Sequence, residues 1–163
     1  MQYGLPIRQG FWNKNEVKPS NEDSSGAGFM RFFGRKQDMM DPVSTRPSSK
    51  LGLDEDLPTV LIVGGGDGMG GIVNIASTLG EKLGESSDSP ACQMVVVCGN
   101  NEAARNELSN KRWGPGVKVR VEGFVNNMDE WMNASDALVT KAGPGTIAEA
   151  SICGLPCMLF AYL

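Results

Sequence analysis

From Leu51 onward, apolar residues fall into short unbroken runs separated by stretches of helical spacing. The runs Thr59–Val63, Gln93–Cys98, Lys118–Val121, Ala137–Thr140 and Cys157–Phe160 predict five strands. Most are apolar throughout rather than alternating, the pattern of strands covered on both faces. Between the first two runs, Ile72, Ile75, Ala76, Leu79 and Leu83 recur at the spacing of one helix face. Further helices are predicted over Asn101–Leu108, from Asn127-Met128-Asp129 through Met132, and over Thr146–Ile152. Strand and helix alternate without exception. The fold class expected is α/β, a Rossmann-like parallel sheet with helices on both faces.

The amino-terminal third lacks this order. Residues 1–12 hold a turn, Gly4-Leu5-Pro6-Ile7-Arg8, that reads as the exit of a strand. Residues 13–50 are rich in Ser, Asn, Pro, Gly and charge, show no sustained period, and are expected to form a disordered insertion or linker. Residues 51–163 make up the α/β domain. Ligands of open α/β sheets bind beyond the carboxyl ends of strands. Leu163 follows directly on the last strand, so the domain is expected to be incomplete there, as a fragment of a larger protein.

Composition narrows the chemistry. Among 163 residues, 40% are hydrophobic and 21% charged, with a net charge of -4, so nothing suggests nucleic acid as a partner. Histidine is absent, which removes the commonest general base and metal ligand. The four cysteines, Cys92, Cys98, Cys153 and Cys157, show no C-x-x-C spacing and read as small buried hydrophobes. No apolar run approaches the ~20 residues of a membrane span.

Two loops offer anion sites. The first, Gly64 to Gly71, follows the first strand of the domain and precedes a helix, whose unpaired N–H groups favour negative charge. Gly66, Gly68 and Gly71 fit a G-x-G-x-x-G register, but a dinucleotide site wants a carboxylate about 20 residues further on, at the tip of the next strand. That tip reads Val97-Cys98-Gly99-Asn100. Phosphate contact and a plain tight turn both remain open for this loop.

The second loop lies in Thr140-Lys141-Ala142-Gly143-Pro144-Gly145-Thr146-Ile147-Ala148-Glu149. Two glycines about a proline suggest a compact backbone hairpin, with Thr146 as the helix cap. The T-x-x-E spacing of Thr146 and Glu149 also fits a capping box. A capping box has no need of the Gly-Pro-Gly before it. The alternative puts a pyrophosphate on the loop amides and the ribose hydroxyls on Glu149.

These residues carry a family resemblance. The string from Lys141 to Ala150, followed by Gly154-Leu155-Pro156, resembles the donor-site signature of monogalactosyldiacylglycerol synthases. The likeness extends, in the same order, to Gly4–Arg8, Gly64–Gly70 and Gly123-Phe124-Val125, and covers about residues 3–8 and 57–163. The peptidoglycan transferase of N-acetylglucosamine shares the architecture but bears serines in both loops.

The resemblance implies one half of a GT-B glycosyltransferase, in which this domain holds the UDP-sugar while the other supplies the acceptor site and the catalytic base. Arg8 would pair with the diphosphate. Gly65 and Gly66 would lie against the donor, and Phe124 and the Val125 backbone would receive uracil. Gly143, Gly145 and Thr146 would hold the phosphates, and Glu149 the ribose. The activity implied is an inverting, metal-independent transfer of galactose from UDP-galactose to diacylglycerol, with no cofactor and with the fragment alone inactive. It further implies peripheral contact with the chloroplast envelope membrane. A transferase of another sugar or to another acceptor, and a non-catalytic dinucleotide-binding module, are the alternatives. For Arg8, an ordinary surface arginine remains the other reading.

The chain departs from the family pattern in the length of the 13–50 segment. Within it, Gly28 to Lys36 mixes Phe29, Phe32 and Phe33 with Arg31, Arg35 and Lys36, which suits an anionic membrane surface or an ordinary flexible loop. Asp54-Glu55-Asp56 matches a metal-binding D-x-D, yet its place just before a strand reads as a charged turn.

Overall fold

The computed structural model describes residues 47–64 and 71–161. Within them five strands, β1 (Thr59–Val63), β2 (Cys92–Val97), β3 (Val117–Glu122), β4 (Ala137–Lys141) and β5 (Cys157–Ala161), form one sheet of order β3-β2-β1-β4-β5. All four pairings are parallel. The helices α1 (Pro47–Lys50), α2 (Ile72–Gly84), α3 (Glu102–Asn110), α4 (Met128–Asn133) and α5 (Pro144–Ile152) fill the connections. The fold is Rossmann-like, as the alternation of runs predicts. Pro47–Lys50, which the sequence assigns to the linker, forms one helical turn instead. Leu51 and Leu53 behind it are each 8% exposed and join the core beside α4, and the Ser48 carbonyl accepts from Leu53 N at 2.9 Å.

Alternate residues of each central strand feed two separate cores. Leu61, Val63, Val95, Val97 and Leu138 face Met128, Trp131 and Met132 of α4 and Ala150 of α5. Ile62, Met94, Val96 and Val139 face Ile72 and Ala76 of α2 and Ala104 and Leu108 of α3. A strand so enclosed has no solvent face, which is why its sequence is a run of Val, Ile and Leu. The edge strands differ. β3 alternates Val117, Val119 and Val121 with Lys118, Arg120 and Glu122. β5 leaves Met158 66% exposed and Leu159 36% exposed.

The cysteines divide by the same geometry. Cys98 and Cys153 are buried, Cys92 is half-buried, and Cys157 is exposed on the edge strand β5, contrary to the expectation of four buried thiols.

The strand order reverses beside β1. Chain progression runs outward from β1 through β2 to β3, then returns to place β4 on the other flank. In sheets of this kind the loops leaving the two strands at such a reversal splay apart and open a crevice. Here those strands are β1, followed by Gly64, and β4, followed by Ala142 and Gly143.

Candidate functional site

Both sequence-selected loops therefore leave the sheet side by side, at its carboxyl edge. At the shared boundary the buried Thr140 side chain places Oγ1 3.1 Å from the Val63 carbonyl oxygen and 3.2 Å from that of Lys141. The ladder between β4 and β5 slips at Thr140/Lys141, where β4 gives way to the loop. Gly64 is glycine for a packing reason, since a Cβ there would stand 2.8 Å from Ile72 Cδ1. The helix that follows is capped by Gly71, whose φ of 77° is left-handed. Gly65, Gly66 and Arg8, three of the expected donor contacts, lie outside the described residues, as do residues 1–46 with the Phe29–Lys36 cluster.

The second loop differs from its expected form. Pro144 is the first residue of α5 and Gly143 its cap, with no side-chain capping bond. Gly143-Pro144-Gly145 is thus the entry of a helix rather than a hairpin, and Thr146 lies in the first turn instead of capping it. Proline explains the early start: its fixed φ suits the first helical position, and it has no N–H to leave unpaired. The capping box is excluded with it, because the threonine of such a box must stand at the cap.

What remains is a helix entry, the kind of backbone end that can receive an anion. Ile147 N makes the first helical bond, to the Gly143 carbonyl at 3.0 Å. The amides of Gly145 and Thr146 precede that bond and are left to point out of the helix end. Gly143 has φ -93°, and a Cβ on it would meet nothing nearer than Thr146 Oγ1 at 3.9 Å. Among the described residues, neither strain nor crowding demands glycine there. Glu149 is 2% exposed, and three residues separate it from Thr146, so both stand on one face of α5. A carboxylate is rarely so enclosed without a specific task or partner.

Phe124 and Val125 follow β3 at the same carboxyl edge. Phe124 is 65% exposed, whereas Val125 packs against the core beside α4. β3 lies three strand spacings from β4, about 14 Å at ~4.8 Å per spacing. The described donor-site candidates therefore form two groups, Phe124 with Val125 at one end, Gly143, Gly145, Thr146 and Glu149 at the other. At the tip of β2, Cys98 is buried and Gly99 turns with φ 59°, with no carboxylate to serve the ribose of a dinucleotide.

Asp54 is committed elsewhere. It pairs with Lys118 at 2.8 Å and accepts from Asp56 N at 3.1 Å, and the lysine bond holds its carboxyl below the ordinary value. The acidic triplet is a charged turn, as its sequence context suggests.

Residues 59–163 match the glycosyltransferase family 28 C-terminal domain. The chain belongs to that family. Among curated proteins, this family 28 domain is 51% identical over 115 residues to a probable chloroplastic monogalactosyldiacylglycerol synthase of Glycine max, covering 70% of the chain and 21% of that protein. It is 48% identical over 166 residues to monogalactosyldiacylglycerol synthase 3 of Arabidopsis thaliana, covering 99% of the chain and 29% of that protein. The chloroplastic synthase of Spinacia oleracea is 41% identical over 162 residues, with 99% and 26% covered. The chain thus spans well under a third of the length of these relatives. A solved structure from work on arginine glycosylation of elongation factor EF-P by EarP aligns with TM-score 0.46 and 17% identity over 71% of the chain and 39% of that protein.

Proposed function

We propose that this chain is the UDP-sugar-binding part of an inverting galactosyltransferase that makes monogalactosyldiacylglycerol, one half of a GT-B enzyme. The observation that carries the proposal is the entry of α5 at the switch point. Two amides outside the helical ladder, a glycine that no described neighbour crowds and a buried carboxylate one turn on stand together where the strand order reverses. The names of the curated relatives supply the sugar and the acceptor.

In this proposal uracil rests by Phe124 and the Val125 backbone, the diphosphate lies on Gly143, Gly145 and Thr146, and Glu149 accepts the ribose hydroxyls. Arg8, Gly65 and Gly66 complete the donor site from outside the described residues. A base supplied by the acceptor-binding half takes the proton of the diacylglycerol hydroxyl. That oxygen attacks the anomeric carbon, the bond to the UDP oxygen breaks, and the leaving diphosphate takes up negative charge. Preorganised amides and a guanidinium stabilise such charge by up to about 3–4 kcal/mol each. They need neither metal nor cofactor to do so. The relatives are named chloroplastic, and the proposal places the whole protein at the chloroplast envelope, in peripheral contact with the bilayer that holds its acceptor.

The test is galactosyl transfer by the whole protein containing this chain, with labelled UDP-galactose and diacylglycerol vesicles. Label in monogalactosyl lipid, lost on Glu149→Ala, is the expected result. A folded protein that binds UDP yet labels no lipid would sink the choice of sugar or acceptor and leave the donor site standing.

A further inference from the structure

The nucleobase end of the site has a cation beside it that the sequence motifs do not reveal. Arg105 stands near the start of α3, in a place fixed by the cap: the Asn101 side chain accepts from Ala104 N at 2.9 Å, and the Asn101 carbonyl from Arg105 N at 3.1 Å. From there its side chain reaches the exit of β3. A Cβ built on Gly123 would lie 3.5 Å from Arg105 Nη1, 3.6 Å from Cδ and 3.7 Å from Cζ. The charge is also felt at buried Cys98, where it partly opposes the rise that burial imposes on the thiol. Arg105 thus lies along the backbone that leads into exposed Phe124 and on to Val125.

Among the described residues, nothing accounts for that position. The neighbouring cations are engaged, Arg120 with Glu122 at 2.6 Å and Lys118 with Asp54 at 2.8 Å. No carboxylate pairs with Arg105 among the described residues. Nor does the helix dipole reward a cation toward its amino end. A guanidinium offers donors in a plane and no acceptor.

We infer that Arg105 selects the base of the nucleotide, donating to the 4-carbonyl oxygen of a uracil seated against Phe124 and Val125. The inference rests on the UDP-sugar reading above. Cytosine carries an amino group in place of that carbonyl. Donor would then face donor, and a mismatch of this kind excludes a ligand more sharply than a lost contact does.

The experiment measures dissociation constants of UDP and CDP for the chain and for Arg105→Ala and Arg105→Lys, with thermal midpoints recorded alongside. The wild-type chain should prefer UDP. Arg105→Ala should weaken UDP by about tenfold or more, the scale of a charge-assisted bond, strengthen CDP by relieving the donor–donor mismatch, and leave the midpoint unchanged. Arg105→Lys, which keeps the charge but not the planar fork, should recover only part of the preference. An unaltered UDP/CDP ratio in Arg105→Ala would overturn the role of Arg105 while the UDP site stands. Equal weakening of both nucleotides would overturn base selection and assign Arg105 to the shared ribose or phosphate. A wild-type chain that binds no UDP would remove the donor-site reading and this inference with it.

Discussion

Thr140 Oγ1 lies 3.1 Å from the Val63 carbonyl oxygen, across 77 positions of sequence, and ties β4 to the last residue of β1 where the two loops part. The hydroxyl is fully enclosed, Thr140 being 2% exposed. Thr140→Val keeps the shape and removes the donor. It should cost about 1 kcal/mol of stability, read as a lower urea midpoint at an unchanged slope. Thr140→Ser, which keeps the hydroxyl, should retain that bond.

Gly143 offers the sharpest separation of fold from function. Its backbone is one that any residue adopts, and among the described residues a methyl group would meet nothing nearer than Thr146 Oγ1 at 3.9 Å. Gly143→Ala should leave the chain as stable as before or raise its stability by up to about 1 kcal/mol, through the unfolded state. If phosphate sits on the amides of Gly145 and Thr146, the same methyl group will obstruct it. Calorimetry should then show UDP affinity falling while the melting midpoint holds or rises. Undiminished affinity would take Gly143 out of the site.

Much of this was legible in the residues. The central strands were placed to within a residue, because enclosure on two faces forces an unbroken apolar run, as in Thr59–Val63 and Cys92–Val97. β3 was harder. Its polar alternates conceal its ends, and the observed strand, Val117–Glu122, extends one residue beyond each predicted end. The start of α5 lies two residues before the one the spacing predicts, because Gly-Pro-Gly fits turn chemistry and helix entry alike, and a proline at the first helical position is itself a start signal. Side-chain roles that depend on distant neighbours had no local signature. Gln93 looks like an ordinary strand residue, yet its amide nitrogen lies 2.7 Å from the Asp54 carbonyl and 2.8 Å from Thr59 Oγ1, while its oxygen accepts from Asp54 N. Arg105 has no local signature for the same reason. Only the pairing of β2 with β3 brings it to Gly123.

Gly64 should behave oppositely to Gly143. A Cβ there meets Ile72 Cδ1 at 2.8 Å and Ile72 Cβ at 3.2 Å, inside a closed core. Gly64→Ala should destabilise the chain by about 1–3 kcal/mol, the usual cost of overpacking. Adding Ile72→Val removes the nearest atom, so the double variant should be more stable than the sum of the single effects predicts. Simple additivity in a denaturation cycle would mean that the two positions do not meet.

Glu149 is the residue to which the proposal gives the most specific role. If its carboxylate accepts both ribose hydroxyls, the wild-type chain must favour UDP over 2′-deoxy-UDP. Glu149→Ala should weaken UDP by about tenfold and bring the two ligands to equal affinity. A variant that loses both nucleotides in proportion would point to a packing role, and its lowered melting midpoint would show it.

The thiols impose a pH dependence whose sign is fixed by burial. Burial pushes Cys98 up from its ordinary value, with Arg105 opposing in part, and raises Cys92 and Cys157 as well. The folded state therefore keeps these protons to higher pH than the unfolded chain does. Where the native state binds more protons, stability falls as pH rises. The contribution is complete below the unfolded thiol value, about 8.5, and is lost as pH climbs from there through the raised folded values. Urea midpoints should thus hold level from pH 7 to 8 and decline above it. Cys98→Ala, in the best-enclosed of the three sites, should flatten that decline more than Cys157→Ala on the exposed edge strand. The reverse ranking would mean that the thiol proton at the tip of β2 is not governed by its enclosure.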